Sequence, residues 1–209
     1  LNTPRFITLE GGEGTGKSTQ AKRLVAALEV SGVSAIATRE PGGSPGAESI
    51  RKLLVEGEQG RWDALTETLL MFAARSDHIR NTIKPAMASG KWVVCDRFTD
   101  STYAYQGVGR GVDRETIRRI DAVSVGDFKP DLTLVLDLPV DIGLARAKAR
   151  RGAEDRFEKF GAEFHEKLRT AYRDIALRNG DRCVLLDASG SEDGVAKAIW
   201  NAVASRFKL

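Results

Sequence analysis

The run Gly11-Gly12-Glu13-Gly14-Thr15-Gly16-Lys17-Ser18 fits the spacing G-x-x-x-x-G-K-[ST], and the chemistry of that spacing is the binding of a phosphate chain. Its glycines let the main chain curl round an anion with no Cβ in the way. Lys17 is spaced to reach β- and γ-phosphates, and the Ser18 hydroxyl to hold Mg2+. Such a loop works when a strand leads in and a helix leads out, because backbone N–H groups and the positive end of the helix dipole then converge on the anion. Both flanks are present. Phe6-Ile7-Thr8-Leu9 is a short apolar, β-prone run, and from Thr19 to Leu28 apolar residues recur at helical spacing. Residues 11–19 are therefore read as the binding segment of a nucleoside triphosphate: Gly11, Gly12, Glu13, Gly14, Thr15, Gly16, Lys17, Ser18 and Thr19.

A phosphate loop alone does not separate an ATPase, a GTPase and a kinase. The absence of Asn-Lys-x-Asp argues against a Ras-like guanine pocket. Asp96-Arg97 closes a third apolar run, Trp92–Asp96. An aspartate at a strand end can orient water on Mg2+, and the arginine beside it can fork onto a second phosphate. Arg146, Lys148, Arg150, Arg151 and Arg156 crowd a stretch broken by Gly152, which suits a small basic lid over about 148–157. The competing readings are a strand-end ion pair for Asp96-Arg97 and a solvated helix face for the basic run. His78 and His165 stand outside the phosphate motifs and read as structural.

Arginines rather than a base suit one kind of acceptor. A nucleoside monophosphate is largely dianionic at neutral pH, its second pKa being about 6. It needs no deprotonation, and its difficulty is repulsion. Two like unit charges about 4 Å apart cost about 4 kcal/mol at an effective dielectric near 20. Mg2+, Lys17, Arg97 and lid arginines would cancel that repulsion during in-line transfer.

The elements that must hold these residues alternate. Strands are expected at Arg5–Glu10, Ser34–Thr38, Trp92–Asp96, Leu132–Asp137 and Arg182–Asp187. Helices are expected at Lys17–Ser31, Pro45–Val55, Leu65–Thr82 (open to continuing to Ser89), Asp113–Val125, Val140–Arg150, Glu158–Arg178 and Asp193–Arg206. The pattern predicts a five-stranded parallel sheet covered on both faces, an α/β fold with ligands at the strands' carboxyl ends. Glu10, Arg39-Glu40, Asp96-Arg97 and Asp137 lie at those ends. At 209 residues, with 42% hydrophobic and 29% charged residues, the chain is expected to form a single domain over 1–209. No apolar stretch approaches the ~18 residues of a membrane span. A net charge of +3 gives no case for nucleic acid. Cys95 and Cys183 sit in apolar runs and no secretory pattern opens the chain, so a reducing cytoplasm is the expected compartment.

Over nearly its whole length the chain resembles the bacterial thymidylate kinase family. The likeness rests on Leu9–Ser18, Thr38-Arg39-Glu40-Pro41-Gly42-Gly43, Leu70-Met71-Phe72-Ala73-Ala74-Arg75, Asp96-Arg97-Phe98, Ser101-Thr102-Tyr103-Ala104-Tyr105-Gln106-Gly107 and the basic lid. It implies a nucleoside-monophosphate-kinase fold, transfer of the ATP γ-phosphate to dTMP with Mg2+, and a homodimer built from helices, with Leu65–Ile79 as a candidate surface. Arg97 then binds the acceptor phosphate, helped by Arg51 and Arg39, while Glu13 faces the sugar or that arginine. The phosphate loop has no arginine, so the resemblance assigns a catalytic arginine to the lid, with Arg151 and Arg156 the first choices. Arg75 would read the base and Phe72 stack on it. The spacing departs from the family's Phe-x3-Arg, and alignment on Arg75 puts Met71 at the stacking position. Ser101, Thr102 and Gln106 add polar contacts, and Tyr105 sits against the sugar's C2′. Two other readings remain open: a nucleoside kinase using Glu40 as base, or another nucleotide-driven ATPase without a second nucleotide site.

Overall fold

The structure is a computed structural model that describes residues 3–58, 60–149, 156–157 and 159–209. Five parallel strands form one sheet in the order β2-β3-β1-β4-β5. They are β1 (Phe6–Glu10), β2 (Ala35–Arg39), β3 (Trp92–Asp96), β4 (Leu132–Asp137) and β5 (Cys183–Asp187). Each lies within a residue of its expected bounds. β1 is central and buried throughout, whereas the edge strands β2 and β5 are covered more on one side.

Alternate side chains of a strand point to opposite faces. Ile7, Leu9, Trp92, Val94, Leu132 and Leu134 form one core with α1 (Lys17–Val30) and α9 (Glu192–Phe207). Phe6, Val93 and Cys95 face the other way, onto Ile79, Ile83 and Phe98. Val135 meets Leu168 and Tyr172 of α8 (Ala162–Arg178) on that same side. The register sets Leu9 and Arg39 opposite Asp96, so the phosphate loop and Asp96-Arg97 leave the sheet at one level.

Two regions depart from the expected helices. α3 (Ala64–His78) continues through a wide π-turn at Ile79–Ile83 into α4 (Lys84–Ala88). Pro85 lacks the N–H that an unbroken α-ladder would use, and the ladder widens just before it. Residues 99–109, to which the sequence pattern assigns no element, form α5 (Thr99–Thr102) and a second π-segment, Tyr103–Gly109. Tertiary bonds to this segment override its poor helix propensity. The remaining helices are α2 (Pro45–Val55), α6 (Arg114–Ser124) and α7 (Val140–Ala149). Asp63 and Asp113 cap α3 and α6 through the N–H groups of Thr66 and Thr116. α8 begins at Ala162, four residues beyond the expected Glu158. Of the expected lid, Arg150, Arg151 and Gly152 lie outside the described residues.

Candidate active site

Between β1 and α1 the phosphate loop folds tightly. A Cβ on Gly11, at φ +140°, would stand 2.5 Å from the Leu136 carbonyl oxygen. Gly16 adopts the left-handed conformation that opens α1. Lys17 Nζ donates to the Gly12 carbonyl at 2.7 Å and to Thr15 Oγ1 at 3.2 Å, which lays the ammonium across the loop's mouth. Burial, with Arg97 adding to it, lowers the Lys17 pKa to about 8 against the pull of Asp96, Glu13 and Glu10. The Ser18 hydroxyl donates to Asp96 Oδ2, while Asp96 Oδ1 is buried with no partner.

Arg97 crosses from β3 to the loop. Its backbone is left-handed, at φ +71°, a conformation that costs a non-glycine residue about 1–2 kcal/mol. Nη1 donates to the Gly11 carbonyl (2.9 Å), Tyr172 Oη (3.0 Å) and Ser101 Oγ (3.2 Å). Nη2 donates to Glu13 Oε1 and Tyr105 Oη, both at 3.0 Å. The Tyr105 hydroxyl also donates to Glu13 at 2.6 Å. Burial opposes ionisation of Glu13, but Arg97, Lys17 and Tyr105 outweigh it and hold its pKa down to about 2. Glu10 behaves in the opposite way. Burial, and after it Asp100, pushes its pKa up to about 8, although Ser101 Oγ (2.6 Å) and the Phe98 N–H (2.8 Å) both donate to it.

A cleft of about 520 Å3 opens beside this cluster. Arg39, Arg51, Arg75, Arg97, Ser101, Thr102, Tyr105 and Gln106 line it together with Glu13, Lys17, Ser18 and Asp96. Arg75 is buried. Nε donates to Glu40 Oε2 (2.7 Å), Nη1 to Thr102 Oγ1 (3.1 Å) and Nη2 to the Phe98 carbonyl (3.1 Å). His78 Nδ1 lies 2.9 Å from Glu40 Oε1, and its Nε2 2.7 Å from Thr38 Oγ1. Both oxygens of Glu40 are thus engaged, which fits a residue that orients Arg75 better than a free base. Arg51 Nη1 donates to the Pro41 carbonyl at 2.6 Å, and Arg39 pairs with Glu48 at 3.2 Å.

The model of the family described as thymidylate kinase matches residues 9–199. The chain belongs to the thymidylate kinase family. It is 53% identical over 205 residues to a protein named thymidylate kinase from Bradyrhizobium sp. (strain ORS 278), covering 97% of this chain and 91% of that protein. The one from Caulobacter vibrioides is 53% identical over 204 residues and covered to 98%, as is this chain. The crystal structure of thymidylate kinase from Ehrlichia chaffeensis superposes with a TM-score of 0.76 at 34% identity, covering 96% of this chain and 98% of that one.

Against the residues expected for a thymidylate kinase, two placements differ. Phe72 does not line the cleft: it is 1% exposed and lies beneath Arg75, whose Cζ is 4.8 Å from its ring centre. Met71 takes the cleft wall instead. Successive helical residues turn by about 100°, so Phe72 and Met71 cannot both face the cleft from α3. Arg156 does not line the cleft either. It is fully buried and ion-paired to Glu67 at 2.6 Å, with Nη1 donating to the Leu54 carbonyl at 2.9 Å. Arg151 lies outside the described residues.

Sequence reasoning overlooked Tyr172 and Glu67. Tyr172 reaches Arg97 and Ser101 from 75 and 71 residues away, and nothing in the local sequence of α8 marks it. Glu67 reads as an ordinary first-turn acid of α3, but it is wholly buried.

Proposed function

We propose that this cleft brings dTMP to the γ-phosphate of ATP and transfers the phosphoryl group, giving dTDP and ADP. The observation that carries the reading is the position of Arg97. One guanidinium is tied both to the phosphate loop, through Gly11 and Glu13, and to the neighbouring wall, through Ser101 and Tyr105. A group held there stands between two anions.

In the transfer, an acceptor phosphate oxygen attacks the γ-phosphorus while the bond to the β–γ bridging oxygen breaks, and ADP leaves with that electron pair. The acceptor is already ionised, so no side chain removes a proton. Lys17 and the loop N–H groups hold the triphosphate, and Arg97 with Arg51 and Arg39 holds the acceptor phosphate. Membership of the thymidylate kinase family, with no arginine in the phosphate loop, assigns the catalytic arginine to the basic stretch that includes Arg151. Arg75 and Thr102 read the base edge, Met71 packs against the base, and Tyr105 fills the space of a ribose 2′-hydroxyl.

The residues present fit Mg2+. Mg2+ uses one or two carboxylates together with substrate phosphates and water. Ser18 Oγ and the unpartnered buried Asp96 Oδ1 offer such a partial set, with Asp96 acting through water. When bound, the ion would neutralise phosphate charge.

The same reading extends to assembly and place. α3 and α6 pack together, and Leu65 and Leu69 on α3 and Val123 on α6 are exposed. This apolar helical face is the proposed seat of a homodimer, and the cytoplasm is the proposed compartment. A coupled ADP-release assay with dTMP, dUMP, dCMP and thymidine tests the function. The expected result is fastest turnover of dTMP. Faster turnover of thymidine would replace it with a nucleoside kinase, and ATP hydrolysis indifferent to dTMP would replace it with a nucleotide-driven ATPase.

A further inference from the structure

Glu67 is the meeting point of three walls of the acceptor cleft. Its carboxylate is fully buried on α3, the helix that also carries Met71 and Arg75. Gln106 of the π-segment donates its amide to Oε1 at 2.9 Å, and Arg110, just beyond that segment, donates to Oε2 at 2.8 Å. Arg156 reaches the same Oε2 at 2.6 Å.

The other nitrogens of Arg156 grip α2. Nη1 donates to the Leu54 carbonyl in the last turn of that helix, and Nε to the Glu58 carbonyl just past it at 3.4 Å. A cation at a helix C-terminus satisfies carbonyls left without intrahelical partners and meets the negative end of the dipole. α2 is the helix that presents Arg51 to the cleft. The next residue, Phe157, is itself a cleft residue. Its ring stands edge-on to Tyr105 with centroids 5.5 Å apart, and the Arg156 Cζ lies 5.2 Å from its centre.

One buried guanidinium therefore ties together the helix bearing Arg51, the helix bearing Arg75, and the aromatic pair against which the sugar would rest. We propose that Arg156 is a positioning residue of the acceptor site, acting through Glu67, α2 and Phe157, and not a residue that touches phosphate. This inference rests on the reading of the cleft as the dTMP site.

The charge balance chooses the variant. Removing Glu67 would leave the buried Arg156 and the partly buried Arg110 without their anion, a costly state. Arg156→Met keeps bulk and leaves Glu67 bound to Arg110 and Gln106. Steady-state kinetics of the full chain are then measured with each substrate varied. The expected result for Arg156→Met is a KM for dTMP raised about tenfold or more, with KM for ATP and kcat changed by less than about threefold. Arg156→Lys, which keeps a buried cation but loses the fork, falls between the wild type and Arg156→Met. Addition of Glu67→Gln to Arg156→Met raises KM for dTMP by less than the product of the two single effects, because the residues act as one unit.

A fall in kcat of about a hundredfold with KM for dTMP unchanged would assign Arg156 to the phosphates and overturn the proposal. So would multiplicative single effects, or equal losses for both substrates. If Arg156→Met fails to fold, Arg156→Lys carries the test by the same criteria. Failure of the underlying reading is distinguishable, since the wild-type chain would then show no saturable dependence on dTMP.

Discussion

Gly14 and Gly143 lie backbone to backbone. A Cβ on Gly14 would stand 1.9 Å from the Gly143 carbonyl oxygen, and one on Gly143 would stand 2.5 Å from that of Glu13. The tip of the phosphate loop is thus seated on the first turns of α7, and no side chain fits between them. The position of the loop's N–H groups, and of the Glu13 carboxylate that engages Arg97, depends on that seat.

Gly143→Ala is a helix-favouring change by propensity alone, as glycine in a helix interior costs about 1 kcal/mol relative to alanine. Here the added methyl must push the loop away. The expected outcome is a rise in KM for ATP of about tenfold or more, from displaced backbone donors. Titration with a non-hydrolysable ATP analogue checks it, and unchanged affinity would show that α7 yields instead of the loop.

Arg97 gathers five hydrogen bonds in the cleft and holds a left-handed backbone to make them. Arg97→Lys keeps the charge and loses the fork. A single ammonium cannot span the Gly11 carbonyl, Glu13 and two tyrosines. Loss of about 3 kcal/mol of transition-state stabilisation, a factor near a hundred in kcat/KM for dTMP, is expected. Affinity for ATP should change little, because Lys17 and the loop amides remain. Equal losses for both substrates would place Arg97 with the donor instead.

Lys17 gives the binding of ATP a dependence on pH. Burial and Arg97 lower its pKa to about 8 in the free protein, so above pH 8 the free site is increasingly uncharged there. A polyphosphate against the ammonium favours the charged form and raises that pKa. Binding above pH 8 must therefore take up protons, and affinity must fall as pH rises through that range. Glu10, whose pKa is raised to about 8 by burial and Asp100, would be pushed further up by the same anion and adds uptake of the same sign. Calorimetry in buffers of different ionisation enthalpy reads the uptake directly. Little uptake at pH 7 and a clear uptake near pH 9 is the expected pattern.

What the sequence made legible follows from how local each signal is. The phosphate loop and the five strands are short, contiguous patterns, and the strands lie within a residue of expectation. Arg97, Ser101, Thr102, Tyr105 and Gln106 also reach the cleft, since a strand end or one helical turn fixes where they point. Residues 99–109 did not read as helix because their regularity comes from bonds such as that of Ser101 to Glu10, across 91 residues. Arg156 did not read as buried because its anion lies on α3, and a basic run looks the same whether it faces phosphate or one hidden carboxylate.

The helix face of α3 gives the last prediction. Phe72 was expected to stack on the base, yet it packs under Arg75 while Met71 forms the cleft wall. The two residues should therefore separate function from stability. Met71→Ala removes a flexible thioether from the proposed base platform and leaves the core intact. It should raise KM for dTMP several-fold with little change in melting temperature. Phe72→Ala opens a cavity in the core and should cost about 3–5 kcal/mol of stability. It also withdraws the ring beneath Arg75, so any effect on dTMP comes through that guanidinium and appears as weaker discrimination between dTMP and dCMP. Thermal denaturation and paired KM measurements on both variants decide between the assignments. A stable Phe72→Ala protein with a large rise in KM for dTMP would return the stacking role to Phe72.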